Sequence, residues 1–72
     1  MKANIIIEKD RDGYYAFCPE MKGCHTQGDS FEEVLENIKE ATELYLETLS
    51  LEEKEYCLNR EILTTSLEVN VA

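Results

Sequence analysis

The chain has 72 residues, enough for one small domain, and its 16 acidic against 7 basic residues give a net charge of −9 at pH 7. A domain of this size buries only about 60% of the surface that its unfolded chain exposes, so it depends on disulfides, a metal or oligomerisation for stability. The charge disfavours direct nucleic-acid binding, because phosphate backbones are bound by basic surfaces. It favours a basic protein partner, although acidity also serves simply to keep small proteins in solution.

The cysteines and the apolar runs predict a cytoplasmic protein. Three cysteines are an odd number and cannot all pair within one chain. No apolar run, including the three isoleucines at residues 5–7, approaches the ~20 residues that span a bilayer. No charged-then-apolar leader is found. We therefore expect free thiols in a reducing compartment, which leaves oligomerisation as the remaining support for the domain.

The first part of the chain predicts three short strands joined by turns. Residues 3–9 include three consecutive isoleucines, whose β-branched side chains favour a strand. The Asp-Gly pair at 12–13 is a strong hairpin signal, so residues 14–18 are expected to return antiparallel until Pro19 ends the strand. A second turn leads to a third strand at residues 24–27.

A capped, amphipathic helix follows. Ser30 and Glu33 form a Ser-x-x-Glu capping box, which predicts a helix from Phe31 to about Leu49. Its apolar stripe, with residues three and four apart, comprises Phe31, Val34, Leu35, Ile38, Thr42, Tyr45 and Leu49. Glutamates gather on the opposite side at positions 33, 36, 40, 43 and 47.

The last part of the chain predicts a connector and a final strand. Residues 50–61 are polar, with a short helical turn expected near residues 51–57. Residues 65–71 alternate with a period of two, which places Leu67, Val69 and Val71 on one face of a strand.

These elements predict an α+β fold of two layers for a single domain, residues 1–72. In the order β-β-β-α-β, the last strand would lie beside the first and parallel to it, giving a four-stranded sheet covered by one helix in a partial ribonuclease-H-like topology. One helix leaves the other face of the sheet open, where Ile6, Tyr15 and Phe17 would form an apolar patch. Because monomers rarely expose such patches, the patch predicts contact with another subunit in a dimer or tetramer.

The reactive side chains indicate no metal, cofactor or catalytic site. Cys18, Cys24 and His25 are close in sequence, but five residues separate the cysteines, unlike the paired ligands of structural zinc sites. His25 could activate Cys24 or Cys18, but neither cysteine lies at a helix N-terminus or in a basic environment that would lower its pKa, and no third residue orients the pair. We therefore expect a protein that is not an enzyme.

Metal-dependent nuclease chemistry is the weaker alternative that the ribonuclease-H-like topology raises. Glu8 and Asp10 end the first predicted strand, and the helix carries many glutamates. Those glutamates lie opposite the apolar stripe and would point to solvent, whereas two-metal chemistry needs carboxylates that converge. A shared topology does not imply a shared function.

The outward side of the helix is the predicted binding surface. Its glutamates repel one another at i,i+3 and i,i+4 spacings, which costs helix stability. Leu44 falls beside them and could anchor a partner, although single exposed leucines are also common. The residues predicted to contact a basic partner are Glu36, Glu40, Glu43, Leu44 and Glu47.

A set of short motifs occurs in fixed order in the first half of the chain. They are Asp12-Gly13 before Tyr14-Tyr15, Cys-Pro-Glu at 18–20, Gly23-Cys24, Thr-Gln-Gly-Asp at 26–29, and Ser-Phe-Glu-Glu at 30–33. In combination they resemble the amino-terminal domain of the HicB-type antitoxins. The likeness covers roughly residues 4–49, with a family-like closing strand at residues 66–71.

The resemblance implies the antitoxin role in a type II toxin–antitoxin system. Proteins of this family bind and silence HicA, a small basic toxin with a double-stranded-RNA-binding-like fold that cleaves messenger RNA with a histidine. Many relatives also carry a carboxy-terminal DNA-binding segment. This sequence ends directly after the predicted closing strand, so we expect no operator binding. An orphan oligomeric interaction module is the alternative.

Overall fold

A computed structural model of the chain describes residues 2–71 as three strands and two helices. The elements are β1 (Ile6–Asp10), β2 (Gly13–Phe17), β3 (His25–Gly28), α1 (Phe31–Glu47) and α2 (Leu51–Leu58). The strands form one antiparallel sheet in the order β1-β2-β3, so β2 is central and the other two are edges. The predicted α+β class is confirmed.

The β1–β2 hairpin forms where the Asp-Gly pair predicts it. Asp10 and Gly13 are the last paired residues of the ladder. The Asp12 N–H donates to the Asp10 carboxylate at 2.8 Å, which fixes the turn locally. Gly13 has a φ of 132°, a conformation that residues with a Cβ rarely adopt.

The loop between β2 and β3 is closed by its own backbone. The Cys18 N–H donates to the Cys24 carbonyl at 3.0 Å, and the Cys24 N–H donates to the Met21 carbonyl at 3.0 Å. The same loop turns the Met21 side chain into the core, where it is only 1% exposed. The sequence pattern indicates the turn but not this buried side chain.

Helix α1 covers one face of the sheet with a narrow line of side chains. Its buried residues are Val34, Ile38 and Thr42. The core that they meet consists of small and flexible residues: Ala16, Cys18, Met21, Cys24 and Cys57. Gly28 permits the close approach at the start of the helix, because a Cβ there would lie 2.7 Å from the Val34 backbone nitrogen.

A serine caps the N-terminus of each helix. Ser30 Oγ accepts the Glu33 N–H at 3.1 Å. The predicted capping box also needs the Ser30 N–H to donate to the Glu33 carboxylate, and this second bond is not formed. The complete box is at α2, where the Ser50 N–H donates to Glu53 Oε1 at 2.9 Å and the Glu53 N–H donates to Ser50 Oγ at 3.1 Å.

Helix α1 ends at Glu47, two residues before the predicted end. The Thr48 N–H donates to the Tyr45 carbonyl at 3.0 Å and the Leu49 N–H to the Leu46 carbonyl at 3.1 Å. These i→i−3 bonds tighten the final turn and satisfy carbonyls that would otherwise be free. The chain then enters α2, which confirms the helical turn expected near residues 51–57.

The predicted fourth strand at residues 65–71 is wrong for the single chain. Residues 59–71 form neither helix nor strand, and every residue from 63 to 71 is exposed. Alternating side chains specify two faces, but a strand also needs a neighbour that pairs with its N–H and C=O groups. Since β1 pairs only with β2 within residues 2–71, the four-stranded sheet and its ribonuclease-H-like arrangement are not formed.

The start of the chain is fixed by a side chain instead of a ladder. Strand β1 begins at Ile6, not at the predicted Ala3. Before it, the Asn4 Nδ2 group donates to the Glu20 carboxylate and to the Arg60 carbonyl, both at 2.8 Å. Asn4 thereby ties the first residues both to the β2–β3 loop and to the chain after α2.

Replacing Gly28 with alanine tests the close contact between β3 and α1. The new Cβ would meet backbone atoms of Val34, which cannot rotate away as a side chain could. We expect Gly28→Ala to lower the free energy of unfolding in urea by about 1–3 kcal/mol, the usual cost of overpacking. The neighbouring exposed Asp29→Ala is the control and should change it by no more than about 0.5 kcal/mol. Equal effects of the two variants would contradict this packing.

Candidate protein-binding surface

The outward side of α1 brings together all five residues predicted to bind a partner. Glu36, Glu40, Glu43, Leu44 and Glu47, which we call the acidic face, are all exposed. With 3.6 residues per turn, they project away from the buried line of Val34, Ile38 and Thr42. Leu44 is 56% exposed, so the face has an apolar side chain among its carboxylates.

The charges of the acidic face are compensated only in part along the helix, by Lys39, the one basic residue of α1. Glu36, Glu40, Glu43 and Glu47 follow one another at spacings of three and four, where like charges repel by a few tenths of a kcal/mol per pair. The last turn of α1 contains no basic residue to offset the negative end of the helix dipole. Cationic side chains of a partner would reduce both the repulsion between the glutamates and the unfavourable negative charge at the end of the helix.

Helix α2 carries three further exposed glutamates, outside the acidic face. Glu52 and Glu53 lie in its first turn, and Glu55 follows in the second. The backbone and hydroxyl hydrogen bonds from Ser50 hold the pKa of the Glu53 carboxyl below its ordinary value of 4.5. This carboxylate therefore stays charged at any neutral or mildly acidic pH.

The three residues of the predicted oligomer patch lie on the face of the sheet that α1 does not cover. Ile6 pairs with Phe17 across the β1–β2 ladder, and the Tyr15 ring lies 5.7 Å from the Phe17 ring between centroids. The exposed His25 continues this surface, with its ring 5.8 Å from that of Tyr15. We call this surface the open sheet face. Its contact with another subunit stays a prediction.

An apolar groove beside α1 was not predicted from the sequence. It has a volume of about 430 Å³, and its apolar lining includes Ala3, Ile5, Leu35, Ile38, Leu46 and Leu58. The charged side chains of Lys39 and Glu43 line it as well, so Glu43 is shared with the acidic face. The stripe pattern places Leu35 in the core, but the side chain is 45% exposed at the groove. A stripe gives the side of the helix on which a residue lies, but not whether another element covers it.

The three thiols are free and buried, and they lie apart from the exposed imidazole. Burial is the main cause that raises the pKa of the Cys18 thiol. Cys24 is 5% exposed, and its sulfur lies 3.7 Å from the Thr42 hydroxyl under α1. His25 lies on the open sheet face, so the Cys24–His25 pair is not assembled for nucleophilic chemistry. Among residues 2–71 no three His, Cys, Asp or Glu side chains are placed to hold a metal ion.

The profile of a family described as HicB-like antitoxin of bacterial toxin-antitoxin system matches residues 3–69. The chain belongs to this family. It is 46% identical over 72 residues to a UPF0150 protein of Helicobacter pylori, with all of both chains covered. It is 59% identical over 49 residues to a UPF0150 protein of Synechocystis, covering 67% of this chain and 62% of the relative. An Archaeoglobus fulgidus UPF0150 protein is 58% identical over 48 residues, covering 65% of this chain and 70% of the relative.

No solved structure matches this chain significantly. None of the helices in the described part of the chain is long and apolar enough to cross a membrane. The family confirms the resemblance carried by the motifs between residues 12 and 33, and it supports an antitoxin role in general.

Thiol reactivity distinguishes buried cysteines from an activated nucleophile. Because burial raises the pKa of Cys18, little of its thiolate is present at pH 8, and access is blocked as well. We expect iodoacetamide to modify Cys18 and Cys24 at least about 100-fold more slowly in the folded chain than in urea. Peptide mass spectrometry gives the rate at each site. Rapid labelling of either cysteine in the folded protein would contradict this description.

Proposed function

We propose that this chain is the antitoxin of a type II toxin–antitoxin system and neutralises a small basic HicA-like toxin by binding it on the acidic face. Membership of the HicB-like antitoxin family supports a toxin partner in general. The observation that carries the more specific proposal is the position of Glu36, Glu40, Glu43, Leu44 and Glu47 on one exposed side of α1.

Charge complementarity supports a basic partner for this face. The whole chain carries a net charge of −9, and such a field speeds the encounter with a cationic protein. At short range, lysine and arginine side chains would pair with the glutamates and remove their mutual repulsion. Leu44 would add an apolar contact inside a ring of charges, the usual arrangement of an interface anchor.

Inhibition by this face requires no chemistry from the antitoxin. A ribonuclease binds the phosphates of its substrate with basic groups, and a row of carboxylates competes for the same groups. The antitoxin therefore acts by occupying the substrate-binding surface of the toxin. This is consistent with a protein that is not an enzyme and binds no cofactor or nucleic acid itself.

The proposal includes a homo-oligomer in the cytoplasm. The open sheet face, with Ile6, Tyr15 and Phe17, is the surface proposed to contact another subunit in a dimer or tetramer. A ribonuclease-H-like arrangement would further require a strand beside β1 that the single chain lacks. An orphan interaction module would use the same surfaces without a toxin.

Charge reversal at the centre of the acidic face tests the binding site. We expect the double variant Glu40→Lys/Glu43→Lys to weaken binding to the toxin, to be sought as a small basic protein encoded next to this chain, by about 100-fold, as expected when close charge pairs become repulsive. Calorimetric titration of the purified pair measures the affinity. The matched control, Glu52→Lys/Glu55→Lys on α2, makes the same change in net charge outside the acidic face. It should weaken binding by less than about 10-fold.

Two results would contradict the proposal at different levels. Equal weakening by both double variants would mean that net charge acts without a defined site, and an unaffected Glu40→Lys/Glu43→Lys complex would move the interface off α1. If the wild-type chain neither binds the neighbouring protein nor relieves its toxicity in cells, the antitoxin function itself is wrong.

A further inference from the structure

The acidic face is too small to form a complete binding site by itself. Helix α1 has 17 residues, which makes it about 25 Å long, and an α-helix is about 10 Å wide. One side of the helix therefore offers roughly 250 Å², whereas each partner in a stable complex contributes about 800 Å². A toxin bound to the acidic face must also cover surface beside it.

The two borders of the acidic face differ. At one border α1 lies directly against the sheet, since the Asn37 Nδ2 group donates to the Gln27 carbonyl of β3 at 3.0 Å. At the other border the surface opens into the apolar groove, because Glu43 belongs to the acidic face and also lines the groove. With 3.6 residues per turn, Leu35 and Leu46 follow Glu43 around the helix on that side. The acidic face and the groove are therefore one continuous surface.

The groove supplies the apolar area that the acidic face lacks. Leu35 is 45% exposed there, and the lining from outside α1 is apolar as well, from Ala3 and Ile5 before β1 and Leu58 at the end of α2. Covering such area removes it from water and favours binding. Protein interfaces typically combine an apolar centre with a charged rim. The groove and the acidic face together have this composition.

Charge determines which side chains of a partner would enter the groove. Lys39 lines it and repels cations, while Glu43 at its border attracts them. A basic partner would therefore hold its cationic groups over the acidic face and place uncharged, apolar side chains in the groove. Leu35 and Leu46 are 11 residues apart on α1, a distance of about 16 Å, or three helical turns. A helix laid in a groove of this length presents apolar side chains every three or four residues.

We propose that the apolar groove is the second half of the toxin-binding site and receives the apolar side of an amphipathic, basic helix of the toxin. The cationic side of that helix then pairs with Glu43 and the other carboxylates of the acidic face. This inference rests on the proposed function and adds the chemistry of the partner segment and its place of binding. A second copy of the chain fits the groove less well, because its net charge of −9 would bring carboxylates against carboxylates.

Matched glutamine variants of the full-length chain test the groove from two segments. Leu35→Gln changes its α1 wall, Ala3→Gln changes the lining before β1, and Leu51→Gln changes a 68% exposed leucine of α2 outside the groove and the acidic face. The probe is the purified toxin, sought as the small basic protein encoded next to this chain. We expect Leu35→Gln and Ala3→Gln each to raise the dissociation constant at least about 10-fold in calorimetric titration, because each places an amide against apolar side chains. Leu51→Gln should change it less than about 2-fold, and circular dichroism checks that every variant is folded.

Salt distinguishes contact in the groove from contact on the acidic face. Raising the salt from about 0.1 M to about 1 M shortens the screening length from about 10 Å to about 3 Å. The effect of Glu40→Lys/Glu43→Lys should therefore shrink at high salt, whereas the effect of Leu35→Gln should persist. An effect of Leu35→Gln that disappears with salt would contradict an apolar contact.

The outcomes separate this inference from the proposed function. If the wild-type chain binds the toxin and Glu40→Lys/Glu43→Lys weakens the complex, but the two groove variants do not, the inference is wrong and the proposed function stands. A loss confined to Leu35→Gln would place the toxin on the helix alone and overturn the inference as well. The same holds if Leu35→Gln alters the sedimentation of the chain alone and not the affinity for the toxin, since another copy would then cover the groove. A wild-type chain that binds no toxin would overturn both.

Discussion

Within residues 2–71, everything else in this structure depends on one helix, α1, providing most of the cover of a three-stranded sheet, with α2 adding the buried Cys57. The cover is narrow, since Val34, Ile38 and Thr42 are the side chains of α1 that reach full burial. A sheet has two faces and two edges, and one helix satisfies one face. The other face, the β1 edge and the groove beside it therefore stay on the surface, and they are the places where further chains can add stability.

In the proposed function, the same helix stabilises the fold with one side and binds the partner with the other. Its inner side meets a core of small and thiol-bearing residues, and Gly28 lets its first turn approach the sheet closely. Its outer side carries the glutamates of the acidic face around the exposed Leu44. A charge reversal on the outer side therefore leaves the core contacts in place, which is what makes the acidic face accessible to experiment. An inhibitor of a basic toxin needs only such a surface.

Features that depend on a few neighbouring residues were predictable from the sequence. The Asp12-Gly13 hairpin, the Ser30 cap and the acidic face are each defined within one or two turns of chain, and all three lie where the pattern places them. The open sheet face also follows from alternation, because Ile6, Tyr15 and Phe17 must point away once Ile7 and Ala16 point inwards.

Features that depend on distant residues were not predictable in this way. Residues 65–71 alternate as a strand does, but alternation carries no information about which edge pairs with them. The exposure of Leu35 was missed for a similar reason, since a helical stripe is buried only where something covers it. Met21 was missed because it lies in a turn, where no periodic pattern indicates burial. Only the fold of the 18–24 loop shows that its side chain enters the core.

The account holds that surfaces left open by a single covering helix are completed by other copies of the chain. Amide hydrogen exchange of the wild-type protein at several concentrations tests this most directly, with the amides of α1 as an internal reference. We expect the amides on the unpaired edge of β1 to become protected at least about 10-fold as concentration rises, while α1 is unchanged, because assembly covers the sheet and leaves the outer side of the helix exposed. Exchange of the β1 amides at a rate that does not depend on concentration would contradict the account.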